Sequence, residues 1–189
     1  MPVGTVEFIQ EYLKRWYYID GIKPLNIPKE LMKAEYLKRW TLSSNTVNRS
    51  LFIDDKYIFV KDLERIKGFT SVIEPAKDLP NEELSNGEFL ISEYVDIESE
   101  WRAFVFNNEL VGLQCYSGDF TNFPDVELIK QMIKDFDYRT AYTLDVGING
   151  KGTFVIECHD FISCGLYGYA DYKLLPNMFI SAWNKLITR

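Results

Sequence analysis

The sequence predicts an α+β fold, built from helices and antiparallel hairpins that form one domain or two small lobes sharing a cleft. Two pairs of strand-like segments flank short turns, at Asn107-Asn108 and at residues 149–152, where Asn and Gly tolerate positive φ. Amphipathic helical segments lie before, between and after these hairpins. Since helices alternate with hairpins rather than with single parallel strands, the pattern favours α+β over a doubly wound sheet.

Two helices are predicted in the N-terminal region. Thr5 can cap the first, whose apolar side chains recur at helical spacing: Phe8, Ile9, Tyr12, Leu13 and Trp16. The sequence GIKP at residues 21–24 ends this helix. Pro28 suits the first turn of a second helix over residues 29–39.

Strand-like segments follow, with two more helices among them. Residues 41–48 are polar and form a loop or a strand edge. The predicted strands are residues 57–61, 89–95, 101–106, 110–116, 141–148 and 153–159. Asp125 can cap a helix with one apolar face, made of Leu128, Ile129, Met132, Ile133 and Phe136. A final helix begins near Pro176 and buries Phe179, Trp183 and Leu186.

Composition excludes several classes of function. Hydrophobic residues make up 47% of the 189-residue chain, which argues against disorder, and the net charge of −7 argues against sequence-independent binding to nucleic-acid backbones. A single histidine rules out zinc sites that need two. Three cysteines without a CxxC pair indicate a reduced, intracellular protein. The N-terminus resembles no signal peptide and no stretch approaches the ~20 apolar residues of a membrane span. We therefore expect a cytoplasmic protein with no membrane or nucleic-acid partner.

The second hairpin carries a candidate metal site. Strand alternation predicts that Glu157 and His159 project from one face, with Phe154, Ile156 and Cys158 on the other, and Asp145 lies on the partner strand. Paired carboxylates on rigid strands suit Mg²⁺. An ordinary solvated hairpin face is the alternative. Two carboxylates held that close repel each other, so at least one is expected to hold its proton more tightly.

Further polar residues end or follow apolar strands. Lys61 ends the strand IFVK, and Arg65, Lys67 and Gly68 follow in a small positive cluster that suits phosphates. A snorkelling surface lysine and a solvated cluster are the alternatives. The hinge ISEYV, which contains Glu93, offers backbone groups to a base and a carboxylate to ribose hydroxyls. An edge strand with balanced charges explains this second segment equally well.

In chain order, these segments resemble the ATP-grasp superfamily over residues 28–186, most of the chain. That fold clamps ATP between two α+β lobes with antiparallel sheets. Lys61 resembles the lysine that contacts the α- and β-phosphates. Glu93, Tyr94 and Val95 resemble the hinge that pairs with adenine. Glu100, seven residues after Glu93, matches the spacing of the ribose-binding glutamate in D-alanine–D-alanine ligases.

The resemblance also implies a metal site and a catalytic arginine. Asp145 with Glu157-Cys158-His159 resembles the metal-binding Asp and Glu-x-Asn, so ATP and Mg²⁺, with Mn²⁺ as an alternative, are the expected cofactors. His159 replaces the family's Asn and is a softer ligand than oxygen. It contacts phosphate or substrate instead, or Asp160 takes over. Arg102 resembles the arginine of the Asp-Ile-Arg motif in glutamate ligases that modify a ribosomal protein, where it lies near the transferring phosphoryl group.

Other segments resemble one ATP-grasp clade, named for one arginine and two lysines and frequent in phages and bacteria. The carriers are GTVEFI with NIP at the start and ECHDFISCGLYGY near the end. Arg39, Lys61 and Lys67 are the residues of this chain that would correspond. The separate N-terminal domain of many relatives is missing, so substrate contacts from it are expected to be absent, reduced or supplied by a protein partner.

The resemblance implies a two-lobed organisation. Residues 1–86 would form an N-terminal lobe with the phosphate-binding strand and loop, and residues 87–189 a C-terminal lobe with the hinge and metal site. The boundary at Asn86-Gly87 follows a Pro- and Glu-containing stretch.

The implied function is an ATP-dependent carboxylate–amine ligase acting through an acyl-phosphate, on small-molecule, peptide or protein carboxylates and amines. Lys61, Lys67 and Arg102 would neutralise the transferring group, with Arg102 and Lys67 the catalytic residues. Residues 116–123 and 165–172 are aromatic-rich and are expected to line an acceptor pocket. Two alternatives stay open: a phosphotransferase with the same fold, and a non-catalytic module that binds nucleotide or a protein partner.

Overall fold

The smaller of two sheets belongs to the first half of the chain. The computed structural model describes residues 1–47, 51, 56–66, 68–74 and 87–188. Within these ranges the first four strands are β1 Thr41–Ser44, β2 Ile58–Asp62, β3 Thr70–Ile73 and β4 Phe89–Glu93. They form an antiparallel sheet in the order β1-β4-β2-β3. The sequence did not predict β3, a four-residue strand at the sheet edge with one buried side chain.

The larger sheet contains both predicted hairpins. Its strands are β5 Ser99–Phe106, β6 Glu109–Gly118, β7 Ala141–Asn149 and β8 Gly152–Asp160, in the antiparallel order β6-β5-β7-β8. Asn107 and Asn108 both adopt positive φ, of 50° and 65°, in the turn between β5 and β6. Mixed helices and antiparallel sheets confirm the predicted α+β class.

Three long helices follow the predicted caps and faces. They are α1 Val6–Tyr17, α3 Val126–Phe136 and α4 Leu175–Ile187. Thr5 accepts a hydrogen bond from the Phe8 backbone N–H at 3.3 Å, and Asp125 accepts one from Leu128 at 3.0 Å. In α1 only Ile9 and Leu13 are fully buried, because the helix packs on one side against the rest of the protein.

The predicted helix over residues 29–39 is wrong in its extent. Lys29–Leu31 form a 3-10 turn, and a separate short helix, α2, covers only Ala34–Leu37. Lys33 lies between them in an extended conformation, with φ −109° and ψ 143°. Lys38 then takes a left-handed conformation, with φ 48°, which ends α2 and turns the chain towards β1.

The larger sheet is covered on both faces. One face packs with α2 and α3 around Leu144, Val155 and Cys158. At the other face, Phe104 and Ala141 pack with α1 and α4. A third cluster, around Val60 and Ile91, lies within the smaller sheet. The N-terminal helices therefore belong with the larger sheet.

Strand β4 places the division between the sheets later than the predicted lobe boundary. Phe89–Glu93 pairs with β1 and β2, so the sheets part between Glu93 and Ser99, whereas Asn86 itself lies outside the described residues. The lobe division at Asn86-Gly87 stays a prediction. In the part of the chain that the structure describes, no helix has the length and apolar character needed to span a membrane.

Candidate active site

Three charged side chains form a row across the larger sheet. Arg102 on β5 lies directly opposite Asp145 on β7, which lies directly opposite Glu157 on β8. The cross-strand pairing expected of Asp145 and Glu157 is thus present. Because directly paired residues project from the same face, the row places all three charges side by side.

A β-bulge in β8 separates this row from the next. Asp145 pairs with Glu157 but Val146 pairs with Val155, which leaves Ile156 as an extra residue. The extra residue resets the alternation of side chains. The prediction that Phe154 and Ile156 share the face of Cys158 is therefore wrong: Val155 joins Cys158 in the core, while Phe154 and Ile156 line a cleft with Glu157.

One row further along the sheet, a glycine makes room for this aromatic ring. Gly147 lies between Glu100 and Phe154 in the strand register. A Cβ at Gly147 would come within 2.6 Å of the Phe154 ring. The absence of a side chain there lets the ring lie across the sheet.

Asp145, Glu157 and His159 converge as a candidate metal group. One ligand atom from each lies within 4.8 Å of the others. The His159 Nε2 is 3.0 Å from Glu157 Oε1 and 3.8 Å from Asp145 Oδ2. Two carboxylates and one imidazole suit Mg²⁺ or Mn²⁺ when phosphate oxygens complete the shell, so these residues fit the expected metal.

Positive neighbours keep Glu157 ionised. Burial by itself would raise its pKa, but the hydrogen bond from His159 and the charges of His159 and Lys61 outweigh burial and lower the pKa to about 2. The Lys61 ammonium donates directly to the Glu157 carboxylate. The expectation that repulsion would make this carboxylate hold its proton is therefore wrong, because cations already compensate its charge.

Arg102 forms a buried, two-pronged ion pair with Asp145. Its Nε donates to Oδ1 at 2.8 Å and its Nη2 to Oδ2 at 2.7 Å, while Nη1 donates to the Gly165 carbonyl at 3.2 Å. Burial alone would lower the pKa of Arg102, but Asp145 raises it above its ordinary value. Each Asp145 oxygen keeps a second lone pair, so the ion pair and metal binding are compatible.

Two tyrosines flank this guanidinium. The Tyr116 and Tyr167 rings stack with centroids 5.0 Å apart, and the Arg102 guanidinium carbon lies 5.6 and 5.1 Å from those centroids. The Tyr116 hydroxyl donates to Glu100 at 2.7 Å. Burial and the nearby carboxylates of Asp145 and Glu100 raise the pKa of Tyr116, so this hydroxyl remains a donor.

A cleft of about 470 Å³ lies between the two sheets and brings most of the predicted residues together. The predicted residues in its wall are Arg39, Lys61, Glu93, Tyr94, Val95, Glu100 and Glu157. Apolar side chains from both sheets complete it, among them Phe59, Val72 and Phe154. Glu157 is shared by the cleft and the metal group, so the cleft ends at the carboxylate row.

Arg39 is held against the larger sheet at the cleft wall. Its Nη1 donates to the carbonyls of Val155 at 3.0 Å and Leu37 at 3.1 Å. The guanidinium carbon lies 5.0 Å from the centroid of the Phe154 ring. Burial lowers the pKa of Arg39 to about 10, despite the opposing charge of Glu93, so the side chain is still a cation at neutral pH.

The hinge after β4 has part of its backbone engaged. The Glu93 N–H donates to the Trp40 carbonyl at 3.1 Å and the Tyr94 N–H to the Tyr57 carbonyl at 3.4 Å. Contacts from this hinge to a base would therefore use its carbonyls and the Val95 N–H. The Lys151 ammonium lies 3.6 Å from the Glu93 carboxylate.

The predicted positive loop is present only in part. Lys67, assigned to both catalysis and phosphate binding, lies outside the described residues. Arg65 is engaged by the buried Asp62, with Nε–Oδ2 2.8 Å and Nη2–Oδ2 2.7 Å. The phosphate contacts expected from this loop stay predictions.

The aromatic segments expected to line an acceptor pocket divide in two. Tyr116 and Tyr167 reach Arg102, as described above, whereas Phe120 and Phe123 are 73% and 61% exposed. Sequence reasoning did not identify Phe154 and Ile156 as cleft residues, and no sequence signal marks the bulge that turns them towards it.

Comparisons with known proteins agree with this geometry. A family model for an ATP-grasp domain, the second family of its clade, matches residues 36–175. No curated protein matches the chain.

Several solved structures share the fold. N5-carboxyaminoimidazole synthetase from Staphylococcus aureus aligns at a TM-score of 0.59 and 15% identity, covering 82% of this chain and 49% of that one. N5-carboxyaminoimidazole ribonucleotide synthetase from Thermotoga maritima aligns at 0.58 and 15%, covering 95% and 55%. The ATP-grasp ligase PsnB, complexed with a variant of its minimal precursor, Mg and ADP, aligns at 0.57 and 14%, covering 84% and 58%. This chain thus spans about half the length of these structures, and the likeness concerns the fold.

Proposed function

The chain belongs to the ATP-grasp superfamily, and from this premise we propose that it is an ATP-dependent ligase that joins a carboxylate to an amine. The observation that carries the proposal is the cleft between the sheets, which contains Lys61 and ends at the group of Asp145, Glu157 and His159. An apolar-walled cleft with a few convergent charged groups is the usual form of a small-molecule site.

The cleft supports one orientation of ATP. The base would lie among Phe59, Val72 and Phe154, against the hinge, and the ribose hydroxyls would reach Glu100. The phosphates would then extend towards Lys61 and the carboxylate row. Lys61 would exchange its bond with Glu157 for phosphate oxygens, because a bound metal would take over the compensation of the carboxylate charge.

Asp145, Glu157 and His159 are the residues that would hold Mg²⁺. When bound, the metal supplies positive charge that neutralises the phosphate oxygens. Arg102 fixes the Asp145 carboxylate through two hydrogen bonds, and this ion pair orients a ligand that is only 2% exposed. The protein thus supplies position and charge, which are the main requirements of phosphoryl transfer.

The proposed reaction has two steps. A carboxylate oxygen of the substrate attacks the γ-phosphorus, the bond to the β-phosphate oxygen breaks and ADP leaves. The amine then attacks the acyl carbon, releases inorganic phosphate and loses a proton, which forms the amide. Lys61 and Arg102 would stabilise the charge on the transferring group, together with Lys67.

Trapping with hydroxylamine tests the chemistry. A ligase of this type converts its carboxylate substrate to a hydroxamate in the presence of Mg²⁺, ATP and hydroxylamine. A phosphotransferase would release ADP and form a stable phosphate ester without hydroxamate. A non-catalytic module would bind Mg²⁺–ATP without releasing ADP.

Lys61→Ala should weaken ATP binding by roughly tenfold or more. A charge-assisted hydrogen bond to phosphate contributes about 1.5–3 kcal/mol, and the Lys61 side chain is only 19% exposed. The measurement is calorimetric titration with Mg²⁺–ATP. Lys130→Ala, which removes an exposed lysine on α3, is the matched control and should leave the affinity unchanged. Parental affinity in a folded Lys61→Ala variant would contradict the assignment.

His159→Asn should preserve ADP release or raise it. Asn supplies an oxygen ligand, which Mg²⁺ prefers to imidazole nitrogen, although the variant loses the contact of His159 with Glu157. We expect the Mg²⁺ concentration for half-maximal ADP release to stay equal or fall. His159→Ala, which offers no ligand, should need more Mg²⁺. If both variants behave alike, His159 does not ligate the metal.

A further inference from the structure

A groove beside the start of α1 meets the candidate metal group. A cavity of about 320 Å³ lies between the first turn of α1 and residues 162–165, and a smaller one of about 40 Å³ extends to His159. Both are lined by Val6, Ile162 and Ser163, so together they form one continuous depression. We call this depression the α1 groove.

The α1 groove reaches the reacting end of the nucleotide cleft from another direction. His159 lines the groove and Glu157 lines the cleft, and 3.0 Å separates their nearest side-chain atoms. At the wider end, Gly165 lines the groove while its carbonyl accepts a hydrogen bond from Arg102. A molecule in the groove would therefore approach the metal group and the arginine without entering the nucleotide cleft.

The chemistry of the wall is selective. Its side chains are mainly aliphatic or aromatic, from Val3 and Val6 at one end to Ile22 and Ile66 at the other, with Phe179 at the wider end. Lys23, which is exposed, contributes an ammonium near His159. The one carboxylate in the wall, Asp160, accepts a hydrogen bond from the Tyr138 hydroxyl at 2.8 Å. The wall thus complements a ligand with an apolar body and an anionic end.

We propose that the α1 groove binds the carboxylate substrate, and that this substrate is an amino acid or short peptide with apolar side chains. The inference rests on the proposed ligase function. The carboxylate lies at the narrow end, between Lys23 and His159, where it faces the γ-phosphate. The apolar body lies against Val6, Ile162 and Phe179. A cavity of this size is at the lower end of the ~300–1,000 Å³ typical of ligand sites, which favours one or two residues.

Hydroxamate formation tests the proposal without knowledge of the amine. The protein is incubated with Mg²⁺, ATP and hydroxylamine, and with L-leucine, Leu-Leu, Glu-Glu or Lys-Lys as the carboxylate. We expect L-leucine or Leu-Leu to give hydroxamate at least tenfold faster than the two charged dipeptides. A preference for L-leucine identifies a free amino acid, and a preference for Leu-Leu identifies a peptide.

Two variants locate the site. Lys23→Ala should raise the KM for the preferred probe about tenfold, and Ser163→Trp, which fills the point where the two cavities join, should abolish hydroxamate formation. Neither should change the affinity for Mg²⁺–ATP. Lys29→Ala removes a lysine whose side chain is 91% exposed and outside the groove, and it should behave like the parent. Because Lys23 is exposed, its variant is expected to fold even if Ser163→Trp does not.

The possible failures are distinguishable. Faster reaction with a charged dipeptide, a parental KM in Lys23→Ala, or no hydroxamate from any probe would overturn the groove assignment while Mg²⁺–ATP binding still supports the nucleotide site. Absence of Mg²⁺–ATP binding by the parent protein would instead overturn the proposed function on which the groove assignment rests.

Discussion

Glu157→Gln is expected to lower Mg²⁺-dependent ADP release by about 10²–10³-fold or more, a loss of the size seen when one preorganised electrostatic group is removed from an active site. Gln keeps the shape of the side chain but removes the charge that would hold the metal. It also removes the ionic partner of Lys61 and of His159. We expect Mg²⁺–ATP to bind weakly or in an unproductive position, which calorimetry and ADP release measure separately.

The same variant should reveal the charge of Glu157 in the stability of the protein. The pKa of Glu157 is lowered from an ordinary value of 4.5 to about 2 in the folded protein. A lowered pKa stabilises the fold above pH 4.5, and that contribution disappears as the pH falls towards 2. In metal-free buffer, Glu157→Gln should therefore be less stable than the parent at pH 7, by about 1–3 kcal/mol, and the difference should shrink below pH 4.5.

Cys158→Ala is the matched control for Glu157→Gln. Cys158 is one residue away, fully buried on the opposite face of β8. Its removal should lower stability through lost packing and leave ADP release nearly unchanged. If Glu157→Gln turned over like the parent, the metal site would lie elsewhere and the ligase proposal would lose its main support.

Arg102→Met should destabilise the protein by about 3–5 kcal/mol, because it leaves the Asp145 charge buried without a partner. The Arg102 and Asp145 side chains are 9% and 2% exposed, so solvent does not screen the pair. For a chain of this length the loss corresponds to a fall in melting temperature of about 6–20 °C. Thermal and urea unfolding of the purified variant give the measurement.

Two further variants separate the ion pair from general damage. Arg102→Met combined with Asp145→Asn should recover much of the lost stability, because no buried charge remains. Arg139→Met removes an arginine from the exposed pair with Asp137 and should change stability by at most about 1 kcal/mol. Equal melting temperatures for Arg102→Met and Arg139→Met would show that the buried pair contributes nothing.

The parts of the fold that sequence predicts well depend on local signals. Asn107 and Asn108 adopt the positive φ that their residue type permits, and the paired strands follow from that turn. Asp125 caps α3 where its spacing from the apolar face requires. Once the second turn is set, the register of the hairpin brings Asp145 opposite Glu157.

The parts that sequence does not predict depend on contacts made elsewhere. The bulge at Ile156 has no turn residue to mark it, and it turns Phe154 into the cleft only because Gly147 on the next strand lacks a side chain. Lys33 interrupts the second predicted helix although lysine is a good helix former. There its side chain pairs with Asp135 on α3, which is a tertiary interaction invisible in the local sequence.

The candidate site shows the same division. The order of Lys61, Glu93, Glu100, Asp145 and Glu157 along the chain indicates one nucleotide cleft, and five elements bring them or their neighbours together. The ionic state of the carboxylates follows from cations that lie far away in sequence. Lys61 is 96 residues from Glu157, and Arg102 is 43 residues from Asp145. Residue spacing alone therefore predicts the carboxylates but not their charge.

Tyr116 makes the sugar end and the phosphate end of the proposed nucleotide site interdependent. One side chain donates from its hydroxyl to Glu100 and presents its ring to Arg102, which in turn holds Asp145. Any shift of Glu100 on engaging a ribose would be transmitted through a single rigid ring to the arginine. Such linkage is reciprocal, so a nucleotide that fails to engage Glu100 would lower the rate of phosphoryl transfer as well as the affinity. Discrimination among nucleotides would then be expressed in kcat and not in binding alone.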